Sequence, residues 1–138
     1  ALTSTTSPDR RRLVVDAMNV IGSRPTGWWR DRRGAMAGLV DELAAYAATT
    51  GEPVTVVLDS RPFALDAGGV EVRFASPGRD AADDAIVELV ASDPEPSALV
   101  VATSDRGLVA RARELGAGTM SAGALRRRLD ELREPRTG

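Results

Sequence analysis

The chain has no cysteine, no histidine and no lysine among its 138 residues. Without cysteine it forms no disulfide and no zinc–thiolate site. Without histidine it lacks the usual general base, a common metal ligand and any Ser-His-Asp triad. Without lysine there is no P-loop ammonium and no Schiff base. Aromatic residues make up only 4% of the chain, so valine, leucine and alanine must fill the core. No run of about 18 apolar residues occurs, so no membrane-spanning helix is expected. The Ser/Thr-rich opening, residues 1–8, has no apolar centre of the kind a signal peptide carries. These absences point to a soluble cytoplasmic protein, or a domain of a longer one, with no membrane partner.

What remains for chemistry is carboxylates, hydroxyls and arginine, which supplies all 18 basic side chains. The net charge of −2 and a pI near 5.2 argue against a broadly basic nucleic-acid binder. A cluster of acids at one site would itself lower the pI, so local charge matters more than the sum.

The length suits one domain. Residues 1–10 read as a disordered lead-in, 11–133 as the domain and 134–138 as a tail. Short apolar runs at 12–16, 54–58, 70–74 and 98–103 read as strands, with a short edge strand at 118–120. Helical periodicity is expected over 32–50, where Met36, Leu39, Val40, Leu43 and Ala47 share a stripe. Gly51 and Pro53 stop it. Further helices are expected over 80–91, 105–115 and 122–132. The stretch after residue 16, with Gly22, Pro25 and Gly27, reads as a polar loop, and 60–69 as another. Strands alternating with helices imply a three-layer α/β/α sandwich around a mainly parallel sheet of about five strands.

Four aspartates fall where expected strands hand over to the next element: Asp16, Asp59, Asp83 and Asp105. In an open parallel sheet the strand C-termini line one edge, and ligands bind in the crevice outside it. Acids gathered there repel one another unless a cation lies between them, and Mg²⁺ or Mn²⁺ prefers such oxygen ligands. Asp16 directly follows a core strand, with Asn19 three residues on. Both could instead satisfy loop amides. Asp83 falls on the apolar stripe of Ile86, Val87 and Val90, so it points along the buried face toward the strand tips. Asp80 reads as the helix N-cap. Asp84 divides between metal ligand and first-turn acid. In Thr103-Ser104-Asp105, Ser104 is either an N-cap or a hydroxyl that orients water. Asp59 is either a turn residue or an outer ligand. The set suggests metal-dependent phosphodiester chemistry.

Residues 24–33 hold both tryptophans and four arginines. Trp28 and Trp29 can stack on unpaired bases and Arg30 can fork onto phosphate, or the rings can simply cover the first long helix. Asp31 is a cap or another outer acid. Arg79 and Arg106, beside Asp80 and Asp105, either neutralise substrate phosphate or pair with those acids. Arg126-Arg127-Arg128 reads as an exposed helix face.

The motif Asp16-Ala17-Met18-Asn19-Val20-Ile21 resembles the D-G-Y-N-V-I opening of NYN-domain nucleases of the YacP-like branch, within the wider PIN-like group. Val57-Leu58-Asp59 resembles that family's V-F-D strand end. Ala82-Asp83-Asp84-Ala85-Ile86 resembles its A-D-x-x-I helix start, and Val101-Ala102-Thr103-Ser104-Asp105-Arg106 its V-V-T-S-D-R element. The order agrees over about residues 12–130. Ala17 and Met18 replace Gly-Tyr, so an aromatic is missing there. The resemblance implies a PIN-like sandwich, a divalent metal (Mg²⁺ or Mn²⁺) and hydrolysis of single-stranded RNA. It places metal or catalytic roles on Asp16, Asn19, Asp83 and Asp105, with Asp59 secondary. The expected function is an endonucleolytic ribonuclease. Two rivals are a non-catalytic RNA- or ribosome-binding module and a PIN-like toxin of a toxin–antitoxin pair. A phosphorelay receiver needs a lysine, and a haloacid-dehalogenase-like phosphatase needs a second acid two residues after the first, where Met18 stands.

Overall fold

The computed structural model describes residues 11–133, apart from Pro77 and Arg79. The expected lead-in and tail, and Arg79 as a substrate contact, lie outside the described residues. Among these described residues five strands form the sheet: β1 (Arg12–Asp16), β2 (Val54–Asp59), β3 (Glu71–Ala75), β4 (Leu99–Ala102) and β5 (Gly118–Met120). They lie in the order β3-β2-β1-β4-β5, and every pairing is parallel. Among the described residues five α-helices accompany them: α1 (Ala17–Ile21), α2 (Arg32–Thr50), α3 (Ala81–Ala91), α4 (Arg106–Glu114) and α5 (Ala122–Arg133). Single 3₁₀ turns occupy Trp28–Arg30 and Pro96–Ala98. Among the described residues no helix is long and apolar enough to cross a membrane.

The three layers follow from the alternation of side chains along each strand. Leu13 and Val15 of β1, with Val54, Val56 and Leu58 of β2, face a core closed by α1, α2 and α5. Val14, Val57, Leu99 and Val101 face the opposite core, closed by α3 and α4. Both faces are covered, which is why the strands read as continuous apolar runs. β2 reaches β3 without a helix, and the connecting loop lays Phe63 and Leu65 on the first core. Phe63 meets Phe74 edge-on at 5.5 Å.

Helix α2 runs as its periodicity predicts. Asp31 caps it by accepting from the Gly34 N–H at 3.0 Å, which decides that residue's role. Gly51 ends it with φ of 76°, a left-handed conformation that glycine adopts without strain. Tyr46, rather than Ala47, completes the fully buried stripe, and its hydroxyl donates to Glu52 Oε1.

Three local expectations need correction. Residues 17–21 form a helix instead of a loop, because Ala17, Val20 and Ile21 all turn into the core. The third strand begins one residue late, at Glu71. The fourth is shorter than 98–103: Ala98 belongs to a 3₁₀ turn, and the ladder ends at Ala102.

Candidate active site

The sheet grows outward from β1 in both directions, β2 and β3 to one side and β4 and β5 to the other. The connection that reverses direction leaves a crevice at the C-terminal tips of β1 and β4. Asp16 is the last residue of β1, and Asp105 stands just beyond β4. Asp16 has the parity of Val14 and Asp59 that of Val57, so both lean toward the α3/α4 side of the sheet. Helix α3 brings Asp83 there in its first turn.

The result is an open cleft of about 340 Å³, lined by Asp16, Met18, Asn19, Asp59, Asp80, Asp83 and Asp105 among others. Asp16 is buried, with 6% of its surface exposed. Thr103 Oγ1 donates to its Oδ2 at 2.9 Å. Burial pushes the Asp16 carboxyl up to about 6; the Thr103 hydroxyl opposes this, the charges of Asp83 and Asp105 add to it, and the Asn19 main-chain amide opposes it. The Asp83 carboxyl is also raised, first by burial and then by Asp105 and Asp80, with Arg111 opposing. Like charges are therefore held together at some cost.

The surrounding hydrogen bonds fix this geometry. Thr103, itself 1% exposed, donates to Asp16 and accepts from the Asp105 main-chain N–H at 3.1 Å. Asp105 caps α4 by accepting from the Leu108 N–H at 2.9 Å. The cap is thus Asp105, not Ser104. Ser104 is otherwise engaged: its N–H donates to Asn19 Oδ1 at 2.7 Å, and its Oγ accepts from the Ala122 N–H at 2.9 Å. One residue thereby ties α1, β4 and the start of α5 together. Asp80 occupies the N-cap position of α3, but in a left-handed conformation, φ 66°, and its carboxylate makes no cap bond. It lines the cleft instead.

Other expected site residues lie outside the cleft lining. Asp84 is exposed and pairs with Arg111 at 3.3 Å. Arg106 is exposed at the first turn of α4. Trp28 packs on the α2 core, with the Arg32 guanidinium 5.9 Å from its ring centre. Trp29 is exposed and meets Trp28 edge-on, and Arg30 is exposed beside it. Thr103, the residue that holds two acids in place, had no role assigned from sequence. Its sole signal was a hydroxyl at the end of a buried apolar run.

A divalent cation fits these donors in one respect that the geometry makes concrete. Asp59 Oδ1 is buried and has no hydrogen-bond partner among the described residues, a condition that costs free energy unless something charged or polar meets it. Among the described residues no three acids close on a single point tightly enough to hold an ion directly. Water molecules would complete the shell, as Mg²⁺ commonly requires.

No curated protein matches the sequence. Solved structures do. Rae1 (YacP) from Bacillus subtilis superposes with a TM-score of 0.72 at 28% identity, covering 88% of this chain and 75% of that one. A point mutant of the same protein gives 0.75, also at 28% identity, covering 89% and 77%. The family model of the YacP-like NYN domain matches residues 13–137. With its fold and nearly its whole length matched, the chain belongs to the YacP-like NYN domain family, a nuclease-type family.

Proposed function

We propose that this chain is a divalent-metal-dependent ribonuclease that hydrolyses internal phosphodiester bonds of single-stranded RNA. The observation that supports this best is the cleft itself: a buried Asp16 shares it with Asp59, Asp83 and Asp105, at the crevice of the sheet. Asp16, Asp83 and Asp105 would hold Mg²⁺ or Mn²⁺, with Asp59 as an outer partner. When bound, the ion supplies an acidified water and charge stabilisation of the departing oxygen. Thr103 keeps the Asp16 carboxylate aimed at the cleft. Asn19, fixed by the Ser104 N–H, presents its side chain at the same wall. The cleft is a trough rather than a closed cavity, so a strand can pass through it, which favours cutting within a chain.

A second reading, an RNA-binding module without catalysis, draws on the looseness of the acid group. A labelled single-stranded RNA incubated with Mn²⁺ separates the two. Asp83→Asn should lower the cleavage rate by about 100-fold or more while retaining RNA binding. Wild-type protein that binds the RNA and yields no product would favour the module. Cleavage unchanged in Asp83→Asn would remove the metal role from this residue.

A further inference from the structure

The overall charge of −2 conceals an uneven division between the two helical layers. The 3₁₀ turn Trp28–Arg30 with α2 and α5 carries seven arginines against four carboxylates. Helices α3 and α4 carry three arginines against four carboxylates. The basic layer therefore lies across the sheet from α3 and α4, and α1 stands between that layer and the acid cleft. Met18 and Asn19 of α1 line the cleft. Val20 and Ile21 of the same helix line a second pocket, of about 210 Å³. At 1.5 Å per residue, α1 is only about 7.5 Å long.

The second pocket is walled by Arg24, Arg126 and Arg133, with Glu42 among them. Its side chains form an alternating chain of charge. Arg24 pairs with Asp130, Arg126 with both Asp130 and Glu42, and Arg133 with Glu42. Among the described residues three cations share two anions, so one positive charge is left over. Arg126 is the most enclosed, with 13% of its side chain exposed. Its Nε lies 3.4 Å from Asp130 Oδ1, close enough to pair but off the line of a hydrogen bond, and is buried with no acceptor among the described residues. Arg24 and Arg133 stand at the rim, 44% and 68% exposed. Guanidinium groups with donors to spare match the oxygens of a phosphate, which accept in a fork.

We propose that this pocket seats a backbone phosphate of the RNA strand whose scissile bond lies in the acid cleft, with the strand crossing α1 from one site to the other. The inference rests on the ribonuclease reading and extends it to where the substrate is gripped. It also explains how an acidic chain holds a polyanion: the repelling carboxylates meet one phosphate, and the surplus cation on the other side of α1 meets a neighbour.

Anisotropy of a labelled single-stranded RNA, titrated in chelator at several salt concentrations, tests this without turnover. The Arg24→Gln/Arg133→Gln double variant should bind about tenfold more weakly at low salt. Its salt dependence should fall by about 0.7 in log–log slope for each phosphate the pocket no longer neutralises. Thr26→Asp places a negative charge at the pocket lining without touching the ion-pair chain, and should weaken binding in the same direction. Arg73→Gln, in an exposed pair with Glu71 on the β3 edge, should bind as wild type. Wild-type affinity and slope in both pocket variants, alongside a wild type that cleaves the RNA, would overturn this inference alone. A wild type that neither binds nor cleaves would overturn the ribonuclease reading with it.

Discussion

Asp16→Asn should abolish RNA cleavage and leave the metal-free protein more stable at neutral pH. The two effects have one cause. The native Asp16 carboxyl titrates at about 6, above the ordinary 3.8, because burial and two neighbouring acids disfavour its charge. Between those values the native state keeps a proton that the unfolded chain has released, so stability falls as pH rises through the window. Above it, the charged side chain is a net liability of about 3 kcal/mol at most. Asparagine removes that liability and still offers an oxygen to the Thr103 hydroxyl. It also removes a negative ligand, and the cleavage rate should drop by about 1,000-fold or more. Urea unfolding at pH 4.5 and pH 7.5, in chelator, should show the variant gaining more on wild type at the higher pH. A variant that cleaves within tenfold of wild type would end the claim that Asp16 serves catalysis. A functional residue that destabilises its own fold is the expected trade.

Thr103→Val should destabilise the fold and disorganise the site together. Valine fills nearly the same space, so packing is little changed. The lost hydroxyl, however, strands two groups at once: the Asp16 Oδ2 and the Asp105 main-chain N–H. Each orphan costs about 1–3 kcal/mol, so a loss of about 2–4 kcal/mol in unfolding free energy is expected. The Asp16 carboxyl should climb further, because the Thr103 hydrogen bond is the larger of the two contacts that hold it down. The fall in stability with rising pH should then extend to higher pH than in wild type. Thr103→Ser restores the hydroxyl and should recover most of both effects. Equal stability and cleavage in the valine and wild-type proteins would show that the bridge has no part in either.

The layered fold was legible because its strands are buried on both faces. Val54–Asp59 is an apolar run that needs no alternation, and Gly51 with Pro53 marks where the preceding helix must stop. Helix α1 was not legible. Five residues hold little more than one turn, too short for a period to declare itself, and the apolar residues that decide it are buried by α2 and α5. At the tip of β4 two adjacent residues could each cap a helix. The choice of Asp105 was settled by distant partners: Asn19 and Ala122 engage Ser104. Asp16, Asp59, Asp83 and Asp105 could be named from the sequence, but not Asp80, which reads locally as a cap, nor that Asp59 Oδ1 lacks a partner among the described residues, which is a property of packing. The basic pocket was hidden most completely. Its ion pairs join residues 84 and 106 positions apart, and Arg126 within a run of three arginines reads locally as a solvated face. Its enclosure, with 13% of the side chain exposed, corrects that expectation for Arg126; Arg127 and Arg128 are exposed as expected.

The central claim is that carboxylates from four elements form one cation-holding cleft, and Mn²⁺ binding to the RNA-free protein tests it most directly. Calorimetric titration of wild type should give saturable binding, accompanied by a rise in melting temperature, since an ion that binds the native state relieves the repulsion there. Both signals should vanish in Asp16→Asn and weaken in Asp83→Asn. Wild-type protein that takes up no Mn²⁺ at millimolar concentration, or binding that survives both substitutions unchanged, would contradict the account.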